Sequence, residues 1–320
     1  MRCSLPDESR ISQVHLRTRN IDGVLRFYSG VLGLKASHGP ASQVTLSALR
    51  PGPGLLVFSE DRNAAPRPSR STGLYHVALR YPTRIDLAHA YRRIVRAGYP
   101  VAGSSDHGVS EAIYLSDTDG NGVELYADRP RSQWRREQGE VAMVTTPLDL
   151  DNLMASSRPA TADPPGPPDL GHIHLNVDDL AVAERFYSEF LGMAVTQRSY
   201  PGALFFAAGG YHHHIGANIW AGKTAPPANS VGLISYRLEV PIAEVLYCLN
   251  HRAPLLGYEA RMERRAENSI LRLRDPNGNW LEVQATSNAV LAGPGSPWAG
   301  CPQEGRAPQD SSEQQKSAQP

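Results

Sequence analysis

Apolar and polar residues alternate over residues 12 to 18 and again over residues 171 to 177, the period of a half-buried strand. Asn20 follows the first stretch and Asp178-Asp179 the second, side chains suited to cap a helix N-terminus, and the period then changes. Val24, Leu25, Tyr28, Val31 and Leu32 fall on one face at helical spacing, with Gly33 placed to end the helix. Phe186, Tyr187, Phe190, Leu191 and Gly192 repeat that pattern. Strand-like patterning returns after each helix. The order strand, helix, several strands recurs at about Tyr75 to Tyr126 and Leu233 to Val283, which predicts four βαβββ modules. In the second module an amphipathic helix from Ile85 to Ala97, closed by Gly98, serves packing.

The modules form a tandem repeat. A shift of 159 residues superimposes Phe27-Tyr28 on Phe186-Tyr187, Leu32-Gly33 on Leu191-Gly192, Gly73-Leu74 on Gly232-Leu233, and His15 on His174. With one residue dropped, Gly120-Asn121 and Glu124 fall on Gly278-Asn279 and Glu282. Two α+β domains are expected, over residues 10–127 and 170–286. They are joined by a linker over 128–169 whose stretch from Arg158 to Pro168 is Pro-rich, and followed by a disordered tail over 287–320.

Composition narrows the function. The 320 residues carry a formal net charge of zero, with hydrophobic residues at 41%, so a soluble fold without the basic face that nucleic acid or anionic lipid requires is expected. The opening MRCSLPDESR has charges where a signal peptide needs an apolar run, and no stretch is long and apolar enough to span a membrane; a cytoplasmic location is expected. Cys3, Cys248 and Cys301 are far apart and form no CxxC pair, which reads as free thiols. Composition leaves homo-oligomerisation open.

Candidate chemistry lies on the strands. Gln13 and His15 share one face, as do His172 and His174. His76 opens the second module, where the shift places Ser235 in the fourth. Glu124 and Glu282 each follow a tight turn that delivers a carboxylate on a last strand. Two imidazoles and a carboxylate from neighbouring strands can hold one face of a divalent ion and leave the rest open to substrate. His76 and Glu124 with either His15 or Gln13 make such a set in the first domain; His172 and Glu282 are the second domain's candidates. His214, in the run His212-His213-His214, is a candidate acid or base, and His107 either a second one or a turn residue.

At these residues the chain resembles the vicinal oxygen chelate superfamily of glyoxalases, bleomycin-resistance proteins and extradiol dioxygenases. The stretches Gly73-Leu-Tyr-His-Val-Ala-Leu79, Ser105-Asp-His-Gly-Val-Ser-Glu-Ala-Ile-Tyr114 and Gly210-Tyr-His-His-His-Ile-Gly216 are similar to the bacterial catechol-2,3-dioxygenase group. The resemblance implies four βαβββ modules in two cupped mixed sheets. In the second domain it matches His172 and Glu282 to ligands and His214 to the base, with Ser235 departing from the pattern. In the first it matches Gln13, His76 and Glu124, with Leu55 where His214 would fall. It further implies a ring-cleaving dioxygenase using Fe(II), with zinc, manganese or nickel as other metals, acting on a small aromatic substrate and O2. A glyoxalase-like isomerase or lyase, favoured by Gln13 as a ligand, and a metal-free binding protein for an aromatic compound are the other readings. The first domain is expected to hold the metal.

Overall fold

The computed structural model describes residues 3–49, 51–157, 166–264 and 269–287. The Pro-rich stretch from Arg158 falls mostly outside them, as do the tail and Cys301. Four modules follow one another as the periodicity predicts. The first holds β1 (Arg10–Thr18), α1 (Ile21–Val24) continued by a π-helical stretch (Leu25–Val31), β2 (Lys35–His38), β3 (Gln43–Ser47) and β4 (Gly54–Glu60). The second holds β5 (Gly73–Tyr81), α2 (Arg84–Arg96), β6 (Gly103–Asp106), β7 (Ser110–Ser116) and β8 (Gly122–Asp128). A bridge carries β9 (Arg136–Glu137), β10 (Glu140–Val141) and α3 (Leu150–Ala155). The third module has β11 (Asp169–Asn176), α4 (Leu180–Glu184) with a π-helical stretch (Arg185–Phe190), β12 (Ala194–Gln197), β13 (Ala203–Ala207) and β14 (Ile215–Asn218). The fourth has β15 (Gly232–Val240), α5 (Glu244–Leu255), β16 (Ala260–Arg264), β17 (Ser269–Arg274) and β18 (Trp280–Ala285).

Local chemistry accounts for the helix ends. The Asn20 side chain accepts from the Gly23 N–H, the Asp179 side chain from Val182, and Thr83 starts α2 by accepting from Asp86. The expected single amphipathic helix behind β1 is instead a short α-turn that widens into π geometry, with Leu32 N–H bonded to Phe27 C=O at 3.1 Å. The wider turn keeps the adjacent Phe27 and Tyr28 both fully buried, and Phe186 and Tyr187 repeat this.

Sheet pairing corrects the expectation that each half of the chain closes its own cup. One eight-stranded sheet runs β6-β7-β8-β5-β11-β14-β13-β12 and the other β2-β3-β4-β1-β15-β18-β17-β16. The second module thus shares a sheet with the third, and the first with the fourth. Each leading strand already has a parallel partner from its own module, β5 with β8 and β11 with β14, which leaves one open edge. Open edges must be satisfied, and here β5 pairs antiparallel with β11, and β1 with β15.

The sequence halves nevertheless hold together behind the sheets. Tyr28 of the first module donates to Asp117 of the second at 3.1 Å, and Tyr187 of the third to Asp275 of the fourth at 2.6 Å. Arg93 donates to the Leu32 carbonyl, and Arg252, its repeat equivalent, to that of Phe190. Between the halves, the connectors at Ala65 and Ser71 bridge to Ser230 and Thr224. A disulfide joins Cys3 to Cys248, with Cα atoms 6.4 Å apart, correcting the reading of free thiols. The N-terminal segment lies along the third module, with Leu5 N–H on Gly192 C=O, and so reaches α5 despite a separation of 245 residues. Among the described residues no helix is long and apolar enough to cross a membrane.

Candidate metal centre

The β5 register brings the site together. Ala78 pairs with Glu124 of β8 on one side and with His172 of β11 on the other, and His76 lies two residues along the same face. Ala78 is fully buried and offers only a methyl group, so three longer side chains converge above it. His76 Nε2 lies 2.9 Å from Glu124 Oε2, His172 Nε2 lies 3.1 Å from the same oxygen, and the two nitrogens are 3.2 Å apart.

These three atoms fit a divalent ion. Ligands at right angles around an ion with bonds of about 2.1 Å are about 3 Å from one another, which is the separation found. Two imidazoles and a carboxylate on one face are a set suited to non-haem Fe(II). Among the described residues His172 Nδ1 is buried without a partner, as is Nε2 of the neighbouring His174. Burial drives the Glu124 carboxyl up, but His172 and His76 outweigh it and hold the group well below the ordinary carboxylate range. Burial brings the His172 imidazole down to about 4 against the opposing pull of Glu124, so it offers a lone pair at neutral pH.

The ion would lie at the floor of a cavity of about 210 Å³. Its walls include Tyr75, Tyr114, Tyr200, Phe205 and Trp220, with Ser105, Ser110 and Thr145 as polar points. Tyr75 and Trp220, ring centroids 5.6 Å apart, are both partly exposed and form part of the rim. His107 lines the cavity: its Nδ1 meets the Val144 carbonyl at 2.7 Å and its Nε2 the Tyr114 hydroxyl at 2.6 Å. A carbonyl only accepts, so Nδ1 carries the proton and the Tyr114 hydroxyl donates to Nε2. Burial and the nearby Glu124 charge push the Tyr114 phenol well above its usual range.

Several sequence expectations are relocated. Gln13 and His15 belong to the other sheet, where Gln13 donates to the Gly54 carbonyl at 3.1 Å and His15 Nε2 lies 2.8 Å from Ser59 Oγ. Neither joins His76, because β1 pairs with β15 and not with β5. Glu282 stands in that second sheet bound by Arg237 at 2.9 Å and Arg272 at 2.8 Å. Arg237 is the repeat equivalent of Ala78, Arg272 of Tyr114 and Ser235 of His76, so a guanidinium takes the place an ion would need. Within the histidine run it is His213, not His214, that lines the cavity. His214 packs on Tyr211, and its Nδ1 accepts the Ala208 N–H at 3.3 Å. Burial, aided by His212, holds His214 down at about 3.

Sequence reasoning missed Tyr114 and the bridge. Tyr114 stands opposite Glu124 in the β7–β8 hairpin, a register that the Asp117–Gly120 turn could have supplied. Met143 and Thr145 of the bridge form cavity wall, and Trp134 meets His212 edge to face, although the bridge reads from sequence as a connection.

Comparison with known proteins agrees with this geometry. The family model described as "Glyoxalase/Bleomycin resistance protein/Dioxygenase superfamily" matches residues 10–125 and 169–283. The chain belongs to this superfamily. Within it the chain is 41% identical over 280 residues to a catechol-2,3-dioxygenase of Bacillus subtilis, an alignment covering 85% of this chain and 96% of that protein. It is a catechol-2,3-dioxygenase-like enzyme. In fold alone it is similar to a putative dioxygenase of Bacillus subtilis, with TM-score 0.64, 12% identity and coverage of 90% of this chain and 87% of that one. The same holds for glyoxalase I of Zea mays, with TM-score 0.56, 14% identity and coverage of 87% and 93%. The superfamily member therefore has the donor set of a metal site, and its relatives imply a bound metal.

Proposed function

We propose that this enzyme is an extradiol dioxygenase that opens the ring of an uncharged catechol-like aromatic with O2, using Fe(II) held by His76, Glu124 and His172. The convergence of these three side chains from two modules, two of which, His76 and Glu124, line an aromatic-walled cavity, carries the proposal. Fe(II), when bound there, supplies chelation of two vicinal oxygens and an electron path between substrate and O2. The chain's own residues do the rest. Phe205, Tyr200 and Trp220 offer faces and edges to a planar ring and exclude water from it. His213, held neutral by burial and by neighbouring imidazoles, presents a base at the cavity wall for a substrate hydroxyl proton. The phenol of Tyr114, whose proton is donated to His107, stays protonated and offers its oxygen as an acceptor at the cavity wall.

The charge balance names the substrate further. Two charges on the ion are met by Glu124 and by one ionised catechol oxygen. Among the described residues that line the cavity there is neither Lys nor Arg. Nearby Arg129 is already bound to Asp106 at 2.6 Å and Glu111 at 3.0 Å. A carboxylate on the ring would therefore be buried without a partner. We expect 4-methylcatechol to exceed 3,4-dihydroxybenzoate in kcat/KM by about 100-fold or more, roughly 3 kcal/mol. Comparable values for the two would refute the neutral-substrate assignment.

The reading itself is tested by anaerobic purification, loading with Fe(II), and measuring O2 uptake and ring-opened product across several catechols. Uptake requiring Fe(II) is expected; its absence with every catechol would reject the dioxygenase. A glyoxalase-like reading drew its support from Gln13 as a ligand, and Gln13 lies in the other sheet.

A further inference from the structure

The third and second modules meet at a chain of polar contacts behind the cavity wall. Asp128, which ends β8, has Oδ1 2.9 Å from His212 Nε2, and His212 Nδ1 lies 2.8 Å from His213 Nδ1. Asp128 Oδ2 accepts from the Tyr211 hydroxyl at 2.9 Å, with Arg80 at 3.6 Å. The rings cannot swing freely. His212 is 1% exposed, with Tyr211 stacked at 4.0 Å and Trp134 at 5.3 Å between centroids, and His213 lies against His172 and Phe205.

The proton inventory of this chain has one arrangement for neutral imidazoles. An ionised carboxylate only accepts, so the proton of His212 is on Nε2 and donates to Asp128. Its Nδ1 is then a bare acceptor, which requires the His213 proton to be on Nδ1. His213 Nε2 is left with a free lone pair. Burial raises Asp128, but its bonds from His212 and Tyr211 prevail and keep it ionised at neutral pH, in agreement with this order.

We infer that Asp128 and His212 are positioning residues that fix His213 in the Nδ1–H tautomer, so that Nε2 is the atom that accepts the substrate proton. The inference rests on the base role of His213 given under the proposed function. In the transfer, the bond between the catechol oxygen and its hydrogen breaks and a bond from that hydrogen to His213 Nε2 forms. The resulting imidazolium keeps its Nδ1–H bonded to His212, whose other nitrogen faces the Asp128 carboxylate. The repeat supports the assignment, since the equivalents of His212, His213 and Asp128 in the other sheet are Pro53, Gly54 and Thr286. Among the described residues the chain of contacts thus stands beside the His76–Glu124–His172 set and has no counterpart at the equivalent positions of the other sheet.

The test is long-range proton–nitrogen correlation NMR on the full chain, labelled with ¹⁵N-histidine and loaded with diamagnetic Zn(II), with His213 assigned through His213→Gln. The wild type is expected to show a protonated Nδ1 and a bare Nε2 on His213. Asp128→Asn offers an amide N–H to His212 and is expected to reverse or mix the tautomers, and Asp128→Glu to restore them. In the ferrous enzyme Asp128→Asn should lower kcat by about 10² to 10⁴-fold with KM within about threefold, an effect of the size a tautomer-setting carboxylate has elsewhere. A proton on His213 Nε2 in the wild type overturns the inference, as does an Asp128→Asn enzyme with unchanged tautomer and kcat. Should the Asn variant not fold, the wild-type and Glu spectra still decide. Absence of turnover in the wild type with every catechol would instead count against the dioxygenase reading, and the tautomer measurement is independent of it.

Discussion

His172→Ala and Glu124→Ala are each expected to strip the chain of its metal, lowering kcat/KM by more than about 10³-fold, whereas Gln13→Ala and His15→Ala leave metal content and turnover unchanged. The asymmetry follows from the sheets. His172 reaches the site across β5, from the other half of the sequence, while Gln13 and His15 are engaged by Gly54 and Ser59 in a different sheet. Metal per chain, measured by elemental analysis after anaerobic loading, gives the answer apart from activity. Retention of metal by His172→Ala would sink the proposed ligand set. Ala78→Arg supplies a second handle: it imitates Arg237, whose guanidinium binds Glu282, and should displace the metal while the carboxylate remains.

The second large effect concerns stability. Asp275→Ala should destabilise the fold by about 3 kcal/mol, a fall in Tm of roughly 5 to 10 °C, without altering metal content. Asp275 is buried and accepts from the Tyr187 hydroxyl at 2.6 Å, the Asn277 and Asn279 N–H groups at 3.0 and 2.8 Å, and the Asn279 side chain at 2.9 Å. Removing it leaves those donors unpaired in the interior, where each costs more than the bond itself contributed. Asp117 repeats the arrangement with Tyr28 and Asn121 in the first half. Calorimetry or denaturant unfolding checks the value, and a loss under about 1 kcal/mol would show that the Tyr–Asp link does not hold the third and fourth modules together.

Much of this site was legible in sequence as parts. The Gly-Asn turns located Glu124 and Glu282, and the alternation on β5 and β11 presented His76 and His172 to one face each. Two matters were not legible. The run His212-His213-His214 does not reveal which imidazole turns inward, since the segment is a bend and its direction follows from Asp128 gripping His212 from another module. The place of Met143 and Thr145 depends on how the bridge folds back, with Met143 packed on Phe205 of β13 and Thr146 bridged to Asp106 of β6.

The sequence by itself determined the modules, their helices and caps, the tandem repeat, and the residue types able to hold a metal. Those properties are written in short-range periodicity and in turn chemistry, which neighbouring residues decide among themselves. Only the tertiary structure decided which modules share a sheet, and with that the convergence of His172, and not Gln13 or His15, on His76 and Glu124, the turning of His213 and not His214 to the cavity, and the meeting of Cys3 with Cys248. The reason is that the leading strands β1, β5, β11 and β15 all offer an open edge of the same backbone N–H and C=O groups, which carry no residue identity. Their partners are settled by the packing of the whole chain, in which the Tyr28–Asp117 and Tyr187–Asp275 contacts bind the halves from behind and leave β5 to meet β11 in front.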